Sequence, residues 1–121
     1  MPFRDPVSKR AFDAVVVGGG LSGLSLASRM VELRPDARIA VVDADFDGPD
    51  HKLWSWWDRA DRIHDPFPEV PRTVWRRMRV ADGAWERTES LGELAYATMR
   101  SDAFRSILTG GLRAAGVTLI S

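Results

Sequence analysis

An α/β fold built on parallel strands follows from three features of this sequence. The β-branched run Ala14-Val15-Val16-Val17 leads straight into Gly18-x-Gly20-x-x-Gly23, and an acid, Asp43, closes a second apolar run 20 residues beyond Gly23. Strand, glycine turn, helix, strand and acid in that order form a Rossmann-like βαβ unit, the arrangement that holds the ADP part of a dinucleotide. A carboxylate at position 43 argues against NADP, because it would repel a 2′-phosphate.

Each element has a local reason. Residues 1–12 read as a flexible lead. Residues 14–17 are apolar and β-branched, as in a central parallel strand buried on both faces. Gly18 permits the tight turn, Gly20 lets a pyrophosphate approach the backbone, and Gly23 lets the helix pack on the strand. The helix starts near Leu21 and aims its free N–H groups at the phosphates. Leu24, Ala27, Met30 and Val31 make its buried stripe, and Pro35 stops it. Arg38 to Ala44 is the second strand. Residues 45–72, rich in Asp, Pro and Trp, read as a long loop with room for a helical turn. Thr73 to Val80 alternates as one strand, Asp82-Gly83 signals a turn, and Ala84 to Thr88 resumes as a strand, giving a β-hairpin. Leu94 to Met99 is a further short strand. Ser101 is placed as an N-cap with Asp102 in the first turn of a helix. That helix carries Phe104, Ile107, Leu108, Leu112 and Ala115 on one face. Gly110-Gly111 weakens it by roughly 1 kcal/mol per glycine relative to alanine, and Gly116 is its C′ residue. Gly116 to Ser121 is the third parallel strand. The domain is therefore expected to run over 13–121, with an insertion at about 45–95, and to be an incomplete domain, the N-terminal part of a larger flavoprotein.

Composition narrows the function classes. The 17 basic and 17 acidic residues cancel, so no overall charge favours nucleic acid. Without cysteine there is no thiolate chemistry, and His51 and His64 alone suggest no metal site. No apolar run reaches a membrane-spanning length, and the N-terminus lacks a secretory h-region. A cytoplasmic location is the expectation. Arg72, Arg76, Arg77 and Arg79 beside Trp75 leave room for peripheral contact with the inner face of a membrane, although alternation divides them between two faces.

Three stretches carry a family resemblance. They are DAVVVGGGLSGLSLASRM; Val42-Asp43-Ala44 followed by His51-Lys52-Leu53-Trp54-Ser55-Trp56-Trp57-Asp58; and Tyr96 through Phe104 with Leu108 and Leu112 after it. Together they resemble the N-terminal third of bacterial lycopene cyclases, in which a glycine-rich FAD motif and acid precede a His-x-x-Trp-Ser-aromatic segment and, later, a Tyr and a Ser-x-x-Phe opening a helix. Trp57 stands where that family often shows a second His. The resemblance implies FAD, acting in its reduced form with NAD(P)H as reductant. It also implies an intramolecular isomerisation that closes the ends of lycopene into β-ionone rings without net redox change. The family's proton-transferring acids lie downstream, so no catalytic residue is assigned here, and the chain alone is expected to be inactive.

The candidate cofactor-binding residues are Gly18, Gly19, Gly20, Leu21, Ser22 and Gly23 on the turn and helix start, and Asp43 and Ala44 at the end of the second strand. By the resemblance they include Arg100, for which a salt bridge where the helix begins is the competing reading. Trp54, Trp56 and Trp57 either line a flavin or polyene site or anchor a loop. His51 reads better as a surface-loop residue than as one facing the cofactor. Two other functions stay open: an FAD-dependent monooxygenase or geranylgeranyl-reductase-like oxidoreductase, and a non-catalytic truncated nucleotide-binding remnant.

Overall fold

The computed structural model describes residues 11–65 and 67–121. The expected lead over 1–12 lies, as far as residue 10, outside them. The chain divides into two compact units, residues 1–48 with 108–121, and residues 49–107.

The first unit holds strand β1 (Ala14–Val17), helix α1 (Leu21–Leu33), strand β2 (Ile39–Val42) and, after the second unit, strand β8 (Thr118–Ile120). All three strands are parallel, in the order β1-β2-β8, with Val16 opposite Val41 and Val41 opposite Leu119. This is the α/β, Rossmann-like unit that the glycines and acid predict. Its centre is β2, where Ile39, Ala40 and Val41 are buried. The expectation that β1 is central and covered on both faces is corrected: among the described residues β1 pairs on one side only. Val15 and Val17 are 52% and 84% exposed, while Val16 is buried. A strand flanked on both sides needs apolar residues throughout, but the same composition does not say which strand is flanked. Leu24 and Ala27 of α1 are buried, and Met30 and Val31 half-buried.

The second unit is antiparallel. Strands β3 (Leu53–Arg59), β4 (Arg72–Trp75) and β7 (Leu94–Arg100) form one sheet in the order β3-β7-β4. Strands β5 (Arg77–Asp82) and β6 (Trp85–Ser90) form a separate hairpin. The β3 strand takes residues 53–59 out of the loop expected over 45–72, and Arg72 at the end of that loop opens β4. The strand expected over 73–80 is broken at Arg76, where the chain changes partner from β7 to β6. The Arg76 carbonyl accepts from Leu91 N at 2.8 Å, and its guanidinium donates to the Gly92 carbonyl at 2.9 Å. Alternation survives such a bend; the ladder does not. The hairpin turn falls where expected, with Asp82 opposite Trp85 and Gly83 at φ +46°, the left-handed region that glycine enters freely.

Helix α2 (Ser101–Ala114) follows β7 directly. Phe104, Leu108 and Leu112 are buried as expected, but Ala115 lies beyond the helix and is exposed. Ser101 does not cap it with its hydroxyl. That group donates to Asp50 Oδ1 at 2.6 Å and accepts from Lys52 N at 3.0 Å, tying the segment before β3 to the start of the helix. At the other end, Val117 N donates to the Leu112 carbonyl and Gly116 N to that of Arg113, both at 3.0 Å, with Gly116 at φ +87°. This is a Schellman stop with glycine at C′.

Candidate functional site

The predicted glycines and acid meet at the C-terminal ends of β1 and β2. Gly18, at φ +108°, turns the chain out of β1 and donates from its N–H to the Val42 carbonyl at 2.7 Å. Gly19 N donates to Asp43 Oδ2 at 2.7 Å, and Asp45 N donates to Asp43 Oδ1 at 2.9 Å. Asp43 N donates to the Ile120 carbonyl at 2.9 Å, so the acid is also held by β8. The turn is thus stitched to the end of β2 by two successive bonds, one from the backbone and one from the acid. These contacts fix the orientation of the Asp43 carboxylate beside the turn.

The glycines differ in what they make room for. A Cβ on Gly23 would lie 1.8 Å from the Gly18 carbonyl oxygen, so only glycine lets α1 approach β1 this closely. A Cβ on Gly19 would lie 2.6 Å from Phe46 Cε1 and 3.0 Å from Asp43 Cβ. A Cβ on Gly20 would meet nothing within 4 Å. Gly20 precedes α1 at φ −86° and ψ −162°, and no side-chain hydrogen bond caps the helix. Its first turn carries no acidic residue. Leu21 and Ser22 are exposed at this end. Open space in front of Gly20, an uncapped helix N-terminus and an oriented acid beside them fit an anionic diphosphate joined to a ribose. Ala44 is exposed next to the acid. Phe46, 7% exposed against the turn, is a site residue that the sequence reading missed. Its signal was a lone aromatic among Asp43, Asp45 and Asp47.

Arg100 belongs to the second unit, at the end of β7. Its guanidinium grips Asp102, Nε to Oδ1 at 3.0 Å and Nη2 to Oδ2 at 2.6 Å. That pairing holds the Asp102 carboxyl below the usual carboxylate range. The salt bridge at the helix start is therefore present. Arg100 also borders a surface depression of about 240 Å³ with Leu53, Thr73 and Thr98.

The tryptophans divide by face. Trp54 and Trp56 are half-buried, and Trp54 meets the buried Phe104 edge-on at 5.2 Å. Trp57 points to the opposite face, 53% exposed, and tilts against Tyr96 at 4.8 Å. Trp75 flanks the same tyrosine at 5.8 Å. Arg72, read as a surface cation, is instead structural. It lies over the Trp56 ring at 5.4 Å and donates to the carbonyls of Ile63 (2.9 Å), Val70 and Phe67. Arg79 forms a two-point pair with Glu86 at 2.7 and 2.6 Å. His51 is exposed. No helix among the described residues is long and apolar enough to cross a membrane.

Comparison with known proteins adds three findings. The chain is 37% identical over 62 residues to 5-(hydroxymethyl)furfural oxidase of Methylovorus sp. (strain MP688), a match covering 50% of this chain and 10% of that protein. Its structure resembles a mutant of NikD, an unusual amino acid oxidase essential for nikkomycin biosynthesis. The TM-score is 0.43 and the identity 15%, over 89% of this chain and 42% of that one, a likeness that adds nothing to the topology described above. The chain thus spans a tenth of the curated relative's length and less than half of the solved one. The lycopene cyclase protein family matches residues 13–121, from the start of the βαβ unit through the whole antiparallel unit to the last residue of the chain, and the chain belongs to that family.

Proposed function

We propose that this chain is the FAD-binding portion of a lycopene cyclase-like flavoprotein of carotenoid biosynthesis. The observation that carries the reading is the union of Asp43 with the glycine turn: the acid bonded to Gly19 N, the uncapped start of α1, and clear space at Gly20. In this role the amides at the start of α1 receive the pyrophosphate, and Asp43 receives the ribose hydroxyls and rejects a 2′-phosphate. Arg100 is proposed as a further cofactor contact, which requires it to give up or share Asp102. The chemistry that bound, NAD(P)H-reduced FAD supplies is support for the cation formed when a proton adds to the polyene end. A proton leaves as the ring closes, so nothing is oxidised overall. The substrate class is a linear, membrane-dissolved polyene, and peripheral membrane contact is part of the proposal.

Two measurements test it. Titration of the chain with FAD by calorimetry should show one-to-one binding, with NADP much weaker; equal binding of NADP would overturn the role given to Asp43. Expression of the complete protein in a lycopene-accumulating host should yield ring-bearing carotenoids, and unchanged lycopene would overturn the cyclase reading. Identity with the oxidase over 62 residues favours one other reading, an oxidoreductase that takes hydride from its substrate. Anaerobic bleaching of bound flavin by 5-(hydroxymethyl)furfural would select it.

A further inference from the structure

We infer that Phe46 is a positioning residue for the phosphate-binding turn, an inference that rests on the nucleotide-site reading above. Phe46 follows Asp43 by three residues, on the segment leaving β2, and is buried at 7% exposure among exposed neighbours Ala44, Asp45 and Asp47. A ring in that acidic stretch is turned inward for a reason. Its Cε1 stands 2.6 Å from the point that a Gly19 Cβ would occupy, so the ring fills the space beside Gly19 that the missing side chain leaves. Gly19 is itself buried, and its N–H is already given to Asp43 Oδ2 at 2.7 Å.

The segment after β2 therefore holds the turn at two points, a carboxylate on the amide of Gly19 and a ring against its Cα. The hydrogen bond fixes where Gly19 N–H points. The ring removes the space into which the peptide could rotate away from it. Gly20 and the first amides of α1 follow Gly19 directly, so fixing Gly19 presets the groups that would meet a diphosphate. A turn already ordered loses less freedom when the ligand arrives, which appears as tighter binding without any new contact.

The test uses Phe46→Ala, Phe46→Leu, Gly19→Ala and the Gly19→Ala/Phe46→Ala double variant in the full chain, with FAD as probe. In the ligand-free Phe46→Ala chain, the Gly19 amide should exchange with solvent faster by about tenfold, with Val41 in β2 unchanged, and FAD should bind about tenfold more weakly, the cost of ordering roughly one more backbone residue on binding. Phe46→Leu keeps apolar bulk and should fall between; it carries the test should the alanine variant unfold. Gly19→Ala should bind poorly, since its Cβ runs into the ring. The double variant should recover part of that loss, because the nearest remaining atom is Asp43 Cβ at 3.0 Å. Additive losses in the double variant, or unchanged Gly19 exchange in Phe46→Ala and Phe46→Leu, would overturn the inference. If the unsubstituted chain fails to bind FAD, the nucleotide-site reading falls, while the exchange data still decide whether Phe46 holds the turn.

Discussion

Gly20 and Gly23 sit three residues apart in one motif, yet the structure assigns them opposite failures. A Cβ at position 23 would be 1.8 Å from the Gly18 carbonyl oxygen and 2.9 Å from its carbon. Both are backbone atoms, so the contact is relieved only by moving α1 away from β1 by more than 1 Å, roughly the shortfall from an ordinary van der Waals separation. Such overpacking costs about 1–3 kcal/mol or more, out of a total stability of about 5–15 kcal/mol. A Cβ at position 20 would meet nothing within 4 Å, on backbone at φ −86° that any residue adopts. Gly20→Ala should therefore leave the fold intact or stabilise it by about 0.4–1 kcal/mol, through the unfolded chain. The new methyl would, however, stand where a pyrophosphate must approach. The assay is thermal unfolding beside FAD titration. Gly23→Ala should lower Tm by roughly 4 °C or more for each kcal/mol lost. Gly20→Ala should hold or raise Tm while FAD affinity collapses. A Gly20→Ala chain that binds FAD as well as the unsubstituted one would refute the placement of the diphosphate, and an undiminished Tm for Gly23→Ala would refute the packing argument.

Three further outcomes are expected. Asp43→Asn keeps one acceptor for two backbone donors, Gly19 N and Asp45 N; losing a charge-assisted bond should lower stability by about 1–2 kcal/mol and weaken FAD binding, both read by the assays above. Phe104→Ala removes a fully buried ring packed edge-on against Trp54 and Phe67, and denaturant unfolding should show a loss of about 3–5 kcal/mol, whereas Trp57→Ala, half-exposed, should cost about 1 kcal/mol or less. Asp50 accepts the Ser101 hydroxyl and lies near Arg105; the Ser101 bond first, then its other partners, hold its carboxyl below the usual value against the opposing effect of burial. A depressed folded pKa means that its contribution is fully present above the unfolded value of about 3.9 and is lost as pH falls through the folded one. Asp50→Asn should flatten the acid limb of a stability-against-pH curve, and an unaltered limb would show that Asp50 does not contribute there.

The candidate nucleotide site was legible because its requirements are local. A turn at φ +108°, a helix touching a strand and an acid at the end of β2 each demand a residue type at a fixed spacing. The stop of α2 at Gly116 was legible for the same reason. What the sequence hid depends on partners far along the chain. In β3, Trp54 and Trp56 face the interior while Leu53 and Trp57 face outward, so apolar residues fall on both faces and erase the period of two. The strand exists because Trp54 through Arg59 pair with β7, some 40 residues away, a relation that no window of residues displays. Likewise the alternation across residues 73–80 is real on either side of Arg76, and only the change of partner reveals two strands.

Ser101 and Phe46 show how the same physics can mislead and be missed. A serine ahead of an apolar-periodic run has the chemistry of an N-cap, and the helix does begin there. The hydroxyl is nevertheless spent on Asp50 and Lys52, because a fully buried serine must satisfy both its donor and its acceptor capacity, and those partners are within reach. Capping propensity describes a residue facing solvent; burial replaces that rule with an accounting of every polar atom. Phe46 is the converse case. A lone aromatic among aspartates hints at an inward ring, but its use becomes visible only against the glycine that it fills. A glycine motif is therefore read in full only when each absent Cβ is traced to what occupies its place: backbone at Gly23, an aromatic ring at Gly19, and open space at Gly18 and Gly20, of which Gly18 is set apart by a positive φ that alone favours glycine.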